Sequence, residues 1–201
     1  MALVLNGSND TITGLQINSA NIVDGSIVNA DINASAAIAS TKLSGITAGI
    51  TEADQWRVSS SFDVNGSSFI SSNWERVDIT GWDKIGTGMS ESSGIFTFPT
   101  TGIYNVIFWD TVRPVNNTTM YAGVEFHFTT DNNTYTNYAD VYDSVSSSTY
   151  FSAISGQQIF DITNVSTHKL KFKVSSEQTA TFQGDTTTTQ LSATFIRLGD
   201  T

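Results

Sequence analysis

Two histidines, His127 and His168, and a few carboxylates in turn-like sequence are the residues of this chain best equipped for chemistry. A zinc centre needs three or four nitrogen, sulfur or oxygen ligands converging on one point. The chain has no cysteine, and no local spacing brings the histidines together. Both read as polar surface positions, His127 alternating within a strand and His168 at the turn before Lys169. Glycoside hydrolysis would need two carboxylates in tuned environments, for which Asp83, Glu91, Asp131, Asp140 and Asp143 are the candidates. Asp131-Asn132-Asn133, with Asp140 and Asp143, also offers clustered oxygen ligands of the kind a hard cation such as calcium takes. The spacing is not that of an EF-hand. No G-x-S-x-G nucleophile elbow occurs. Tyr135, Tyr138, Tyr142 and Tyr150, with Phe151, have two readings. They line a sugar- or protein-binding face, or they pack as cross-strand pairs. No constellation here points to an enzyme or a cofactor.

The elements that must position these residues come from an unusual composition. Of 201 residues only 14% are charged, while 39% are hydrophobic and 11% aromatic. Ser, Thr, Asn and Gly supply the polarity, and the strong helix formers are scarce. This is the make-up of a β-rich domain with a sizeable core. The net charge of −10 argues against nucleic acid, whose phosphates need clustered Lys and Arg. Only Lys169, Lys171 and Lys173 alternate, as one outward side of a strand would. No apolar run approaches the ~20 residues that span a bilayer, so membrane insertion is not expected. Met1–Leu5 is too short for a secretory h-region, and export by another route, such as release on host lysis, is the expectation.

Residues 1–50 contain no aromatic residue; all four Trp, six Tyr and twelve Phe come later. A segment without aromatics has little from which to build its own core. The expected organisation is therefore an extended N-terminal stalk or arm over 1–50 and a globular head over 51–201. Ile22, Ile27 and Ile32 recur at a spacing of five, Ile17 continues the period upstream, and Ile38 breaks it by one. This spacing resembles the pentapeptide repeat, though too few pentads are present to stack. A Ser/Asn/Gly-rich linker with chance spacing is the other reading. Ala34–Leu43 has the pattern of a short helix with Ser35 as N-cap.

The head reads as about twelve short strands between turn signals. They are predicted at Trp56–Val64, Phe69–Val77, Asp83–Ile85, Gly94–Phe98, Ile103–Val112, Met120–Thr129, Tyr135–Tyr142, Thr149–Ile154, Gln158–Ile162, Lys169–Val174, Ala180–Phe182 and Gln190–Leu198. Asn65-Gly66, Ser155-Gly156 and Gly184-Asp185 are among the predicted turns. Val124, Phe126 and Phe128 alternate against Glu125, His127 and Thr129, and Leu170, Phe172 and Val174 against the three lysines. The fold class expected is all-β, a jelly-roll two-sheet sandwich.

The most specific stretch is Gly94 to Trp109. Phe96 and Phe98 lead into Pro99, which suits a strand end, then into Gly102, Ile103 and Tyr104. This block resembles the signature of the complement-type globular head, within the tumour-necrosis-factor-like jelly-roll superfamily, and Leu191–Leu198 resembles the last core strand of such heads. The resemblance spans about residues 55–198. It implies a homotrimeric binding or structural module, in which calcium sometimes lies near the threefold axis. A second resemblance comes from Leu5, Asn6, Gly7, Ser8, Ile12, Gly14 and Leu15, then Asp31, Ile32, Ala36, Ala37, Ile38, Lys42 and Leu43. These are similar to N-terminal segments of bacteriophage tail-fibre and appendage proteins.

Together the resemblances imply a virion structural protein, a trimeric fibre, spike or knob. Leu5, Ile12, Leu15, Ile17, Ile22, Ile27, Ile32 and Ile38 would serve the anchor or stalk, contacting other virion proteins. The head would be exposed for a host cell-surface glycan or protein. A capsid decoration (cement) protein and a virion-associated glycan hydrolase are the alternatives.

Overall fold

The computed structural model describes residues 49–118 and 120–201, together with Ile22, Gly25, Ile27, Val28, Ala30, Ile32, Asn33, Ala36 and Ile38. The chain divides into two units, Met1–Ile46 and Thr47–Thr201. In the first unit, Leu5, Ile12, Leu15, Ile17 and the proposed N-cap Ser35 lie outside the described residues. Ile22, Ile27, Ile32 and Ile38 are all exposed, between 41% and 56%. The chain alone therefore buries none of these four isoleucines, contrary to the inward role a pentapeptide solenoid would give them. Of the predicted helix, Ala36 and Ile38 are described, and neither is helical.

The second unit consists of strands β1 (Ala53–Val58), β2 (Ser60–Phe69), β3 (Trp74–Arg76), β4 (Ser90–Ser92), β5 (Ile95–Thr97), β6 (Gly102–Pro114), β7 (Met120–Thr129), β8 (Thr136–Val145), β9 (Ser152–Ile162), β10 (Lys169–Asp185) and β11 (Ser192–Gly199). Every strand pair is antiparallel. One layer runs β3-β1-β11-β6-β9, and the other runs β8-β7-β10 with β5 and β2 on the far edge of β10. The first half of β10 pairs with β7, and its later residues Ala180–Phe182 pair with Pro114–Val112 of β6. β10 thus passes from one layer to the other and closes a corner of the sandwich. A bulge makes this bend: Ser176 and Ala180 face Gly66 and Val64, so two extra residues accumulate on β10. This bulge is why Lys169–Val174 and Ala180–Phe182 read as separate strands in the sequence.

Period-two alternation fills the space between the layers. Tyr104, Val106, Phe108 and Val112 of β6 point in, as do Val124, Phe126 and Phe128 of β7 and Leu170, Phe172 and Val174 of β10. Phe96 lies at the centre, with ring centroids 5.7 Å from Trp56, 5.0 Å from Trp74, 5.7 Å from Phe172 and 5.0 Å from Phe195. The Gly94–Trp109 block therefore builds the core. Phe98 stacks edge-on against Tyr104 at 4.9 Å, and the Tyr104 hydroxyl lies 2.8 Å from Thr100 Oγ1. Gly102 has φ +143°, and a Cβ there would stand 2.5 Å from the Gly199 carbonyl oxygen, so the strand entry passes too close to β11 for a side chain.

Several predicted boundaries move. Trp56–Val64 breaks at Ser59 between β1 and β2, and Phe69–Val77 splits into the end of β2 and the short β3. Asp83–Ile85 supplies only an isolated bridge, Ala53 to Ile85. The predicted turn at Asn65-Gly66 lies inside β2, where Gly66 (φ +88°) sits beside the β10 bulge. The predicted turn at Ser155-Gly156 lies inside β9. There a Cβ on Gly156 would meet Val141 Cγ2 at 2.8 Å and Phe126 Cε2 at 3.1 Å. The missing side chain leaves room for the Phe126 ring and makes no turn. No helix among the described residues is long and apolar enough to cross a membrane.

Candidate functional site

The two layers turn very different faces outward. On the β1-β11-β6-β9 layer, strand pairing places Ile107 beside Thr194 and Gln157, Asn105 beside Ile196 and Ile159, and Trp109 beside Ser155. Gln55 Nε2 donates to Thr194 Oγ1 at 2.9 Å. On the β11, β6 and β9 part of this face only Asp161 and Arg113, at its two ends, are charged; at the β1 edge Arg57 stands in the row of Ser192 and Trp109, buried and paired with Glu75. Ile159 is 57% exposed and Trp109 37%, yet Asn105 Oδ1 is buried without a hydrogen-bond partner. An outer sheet face that met only water would alternate apolar inward with polar outward. A charge-poor face carrying Ile and Trp has the composition of an interface core.

The other layer turns a polar and aromatic array outward. Lys169, Lys171 and Lys173 pair with Thr129, His127 and Glu125, as the alternation predicts. Lys171 Nζ lies 4.0 Å from the ring centroids of both Phe69 and Tyr135, and burial lowers its pKa. His127 Nε2 is 2.8 Å from Glu125 Oε2, and Lys173 Nζ stands 3.2 Å from that carboxylate. Beyond this ion pair the surface sinks into a trough of about 560 Å³ lined by Gly66, Ser67, Tyr121, Glu125, Tyr142, Lys173 and Ser175.

The backbone dictates this shape. Gly123 of β7 pairs with both Tyr142 and Ser175, and a Cβ at Gly123 would come within 2.2 Å of Tyr142 Cδ1. The glycine therefore lets the Tyr142 ring lie down against the sheet. Tyr121 meets that ring edge to face, with centroids 5.7 Å apart. Ser175 is only 7% exposed, and its hydroxyl has no hydrogen-bond partner.

The tyrosines singled out in the sequence are not one cluster. Tyr142 lines the trough and Tyr135 covers Lys171. Tyr138 packs on Phe128 at 5.6 Å and approaches Phe160 at 6.4 Å. Tyr150 is 74% exposed in the connection before β9. Tyr121, the partner that Tyr142 does have, was absent from that set. Its signal was the outward alternation Tyr121, Gly123, Glu125, His127, but its pairing with β8 is non-local.

The acidic candidates do not form one ligand set. Asp140 pairs with Glu125 and Asp143 with Ala122, which places them on opposite faces of β8. Asp131 accepts hydrogen bonds from Thr129 Oγ1 at 2.7 Å and from the Asn133 and Thr134 amides at 2.8 and 2.7 Å. These bonds, the Thr129 hydroxyl first, hold its carboxyl well below the usual range. Among the described residues no group of three His, Asp or Glu could hold a metal ion. Glu91 accepts from the Gly94 amide and Asp83 from the Lys84 amide, so each of these carboxylates serves its own turn. His168 corrects the surface reading: it is 8% exposed, 3.2 Å from the Thr163 and Thr167 hydroxyls, and edge-on to Phe128 at 5.5 Å.

Asp110 breaks the apolar pattern of its strand. It lies in the inward row of β6 between Phe108 and Val112, fully buried, and neither carboxylate oxygen has a hydrogen-bond partner of good geometry. Burial pushes its pKa up to about 8, which the Ile154 amide opposes only in part.

No protein-family model matches the chain, and no curated protein matches it. Solved structures do. Eiger TNF from S. frugiperda superimposes with a TM-score of 0.58 at 10% identity, covering 76% of this chain and 96% of that one. Murine APRIL at pH 5.0 gives 0.49 at 12% identity, covering 73% and 98%. The PRD1 vertex protein P5 gives 0.43 at 17% identity, covering 75% and 99%. At such identities the likeness is one of fold, and the second unit of this chain is a jelly roll of the tumour-necrosis-factor type.

Proposed function

We infer that this protein is a homotrimeric structural part of a bacteriophage particle, a fibre, spike or knob with its jelly-roll head turned toward the host surface. The observation that carries the trimer is the charge-poor outward face of β11-β6-β9, with Ile107, Trp109, Ile159 and Ile196 presented to solvent in the single chain. A second and third copy of the same chain cover it. The trough-bearing face lies on the opposite side of the sandwich and stays open for contact. The N-terminal region supports the virion role. It is aromatic-free, its described isoleucines are exposed, and its segments resemble those of tail-fibre proteins. Those isoleucines are then covered by copies around the threefold axis or by the particle.

A cryo-electron-microscopy map of the assembled particle tests the reading. Density for three copies at an exposed threefold position is the expected result, and particles lacking this chain would refute it. Deleting residues 1–45 should abolish incorporation. Particles that still take up the truncated head would show that the anchor lies elsewhere.

A further inference from the structure

We propose that the Tyr121–Tyr142 trough is a saccharide site that takes a neutral pyranose, as a mono- or disaccharide. The proposal rests on the reading of this sheet face as the contacting one. A pyranose presents two chemistries: a flat patch of C–H groups with slight positive charge, and a rim of hydroxyls that both donate and accept. The trough answers each. Tyr121 and Tyr142, about half exposed, offer rings whose electron-rich faces attract such C–H groups. At the other wall Glu125 supplies acceptors and Lys173 donors, 3.2 Å apart.

The floor gives the sharper argument. Ser175 Oγ is buried and unpartnered, an arrangement that is unfavourable where nothing satisfies it. A hydroxyl-bearing ligand in the trough would supply the missing bond. The volume, about 560 Å³, falls in the range of small-ligand pockets. Charge selects the class of sugar. The one ammonium in the trough is matched by the Glu125 carboxylate, and the chain carries −10 overall, so a sialylated or sulfated glycan meets no spare cation.

Saturation-transfer NMR on the full chain, with millimolar lactose and maltose as probes, tests this. Transfer to pyranose C–H protons is expected. Tyr121→Ala and Tyr142→Ala should each weaken binding about tenfold, corresponding to about 1.4 kcal/mol of ring contact. Ser175→Ala should weaken binding without lowering the unfolding temperature, because it removes a hydroxyl that has no partner in the free protein. Unchanged unfolding temperatures show that the surface tyrosine variants fold. No transfer to either probe, transfer that survives both tyrosine substitutions, or preference for sialyllactose over lactose each overturns the proposal. The host-surface reading is measured separately, by whether the full chain inhibits particle adsorption. Inhibition without saccharide transfer keeps that reading and removes this site. Transfer without inhibition keeps the site and removes that reading.

Discussion

Replacing Asp110 by asparagine should make the head less sensitive to pH. In the folded chain the Asp110 carboxyl is fully buried, without a hydrogen-bond partner of good geometry, and raised to about 8. In the unfolded chain it titrates near 3.9. Between those values the folded state holds a proton that the unfolded state has lost. Stability therefore falls as pH rises through this window and levels off above about pH 8. The slope from one such group is about 1.4 kcal/mol per pH unit. From about pH 5 to about pH 7 the wild type should lose about 3 kcal/mol through Asp110 alone. The asparagine side chain cannot ionise, and the cost of burying its amide is the same at both pH values. The gap in unfolding free energy between Asp110→Asn and wild type should therefore widen in favour of the variant by about 3 kcal/mol over that interval. For a chain of this length that is a change of about 6–12 °C in the Tm difference. Urea denaturation followed by tryptophan fluorescence, at fixed protein concentration because assembly adds to apparent stability, reads the gap directly. A gap constant to within about 0.5 kcal/mol would refute the reasoning, since Asp110 would then be ionised in the folded protein at both pH values.

Other consequences follow from packing. Phe96→Ala should cost about 3–5 kcal/mol, because that ring touches Trp56, Trp74, Phe172 and Phe195 at once; chemical denaturation measures it. Gly156→Ala should cost about 1–3 kcal/mol by overpacking, since its Cβ would press on Val141 and Phe126; a wild-type denaturation midpoint would contradict that. Gly88→Ala should also lower the thermal unfolding midpoint of the head, because Gly88 has φ +74° and its Cβ would stand 2.8 Å from Asp54 Oδ2.

How much of this was legible in the sequence depended on how local each signal was. Gly94–Trp109 could be read because a proline, a glycine and alternating aromatics mark a strand end, a corner and a buried strand within a few residues. The bounds of β7 could be read for the same reason: Val124, Phe126 and Phe128 alternate cleanly with polar neighbours. Gly156 misled because a glycine that makes room for a ring looks like one that makes a turn until Phe126 is placed beside it. The β10 bulge was hidden because Ser175–Thr179 is polar, while its reason is the passage between layers. At the site, the lysine row was visible, but the Tyr121–Tyr142 pairing and the burial of Ser175 and His168 depend on which strands become neighbours. Asp110 was the least legible, because a carboxylate on an inward row breaks the pattern from which inward rows are recognised.

The proposed trimer assembles through the β1-β11-β6-β9 face. Light scattering of the full chain at micromolar concentration should give three times the 21.7 kDa chain mass. Trp109→Asp combined with Ile159→Asp should reduce this to one chain while leaving the β-sheet circular dichroism intact. A monomeric wild type, or a trimer untouched by both substitutions, would contradict it.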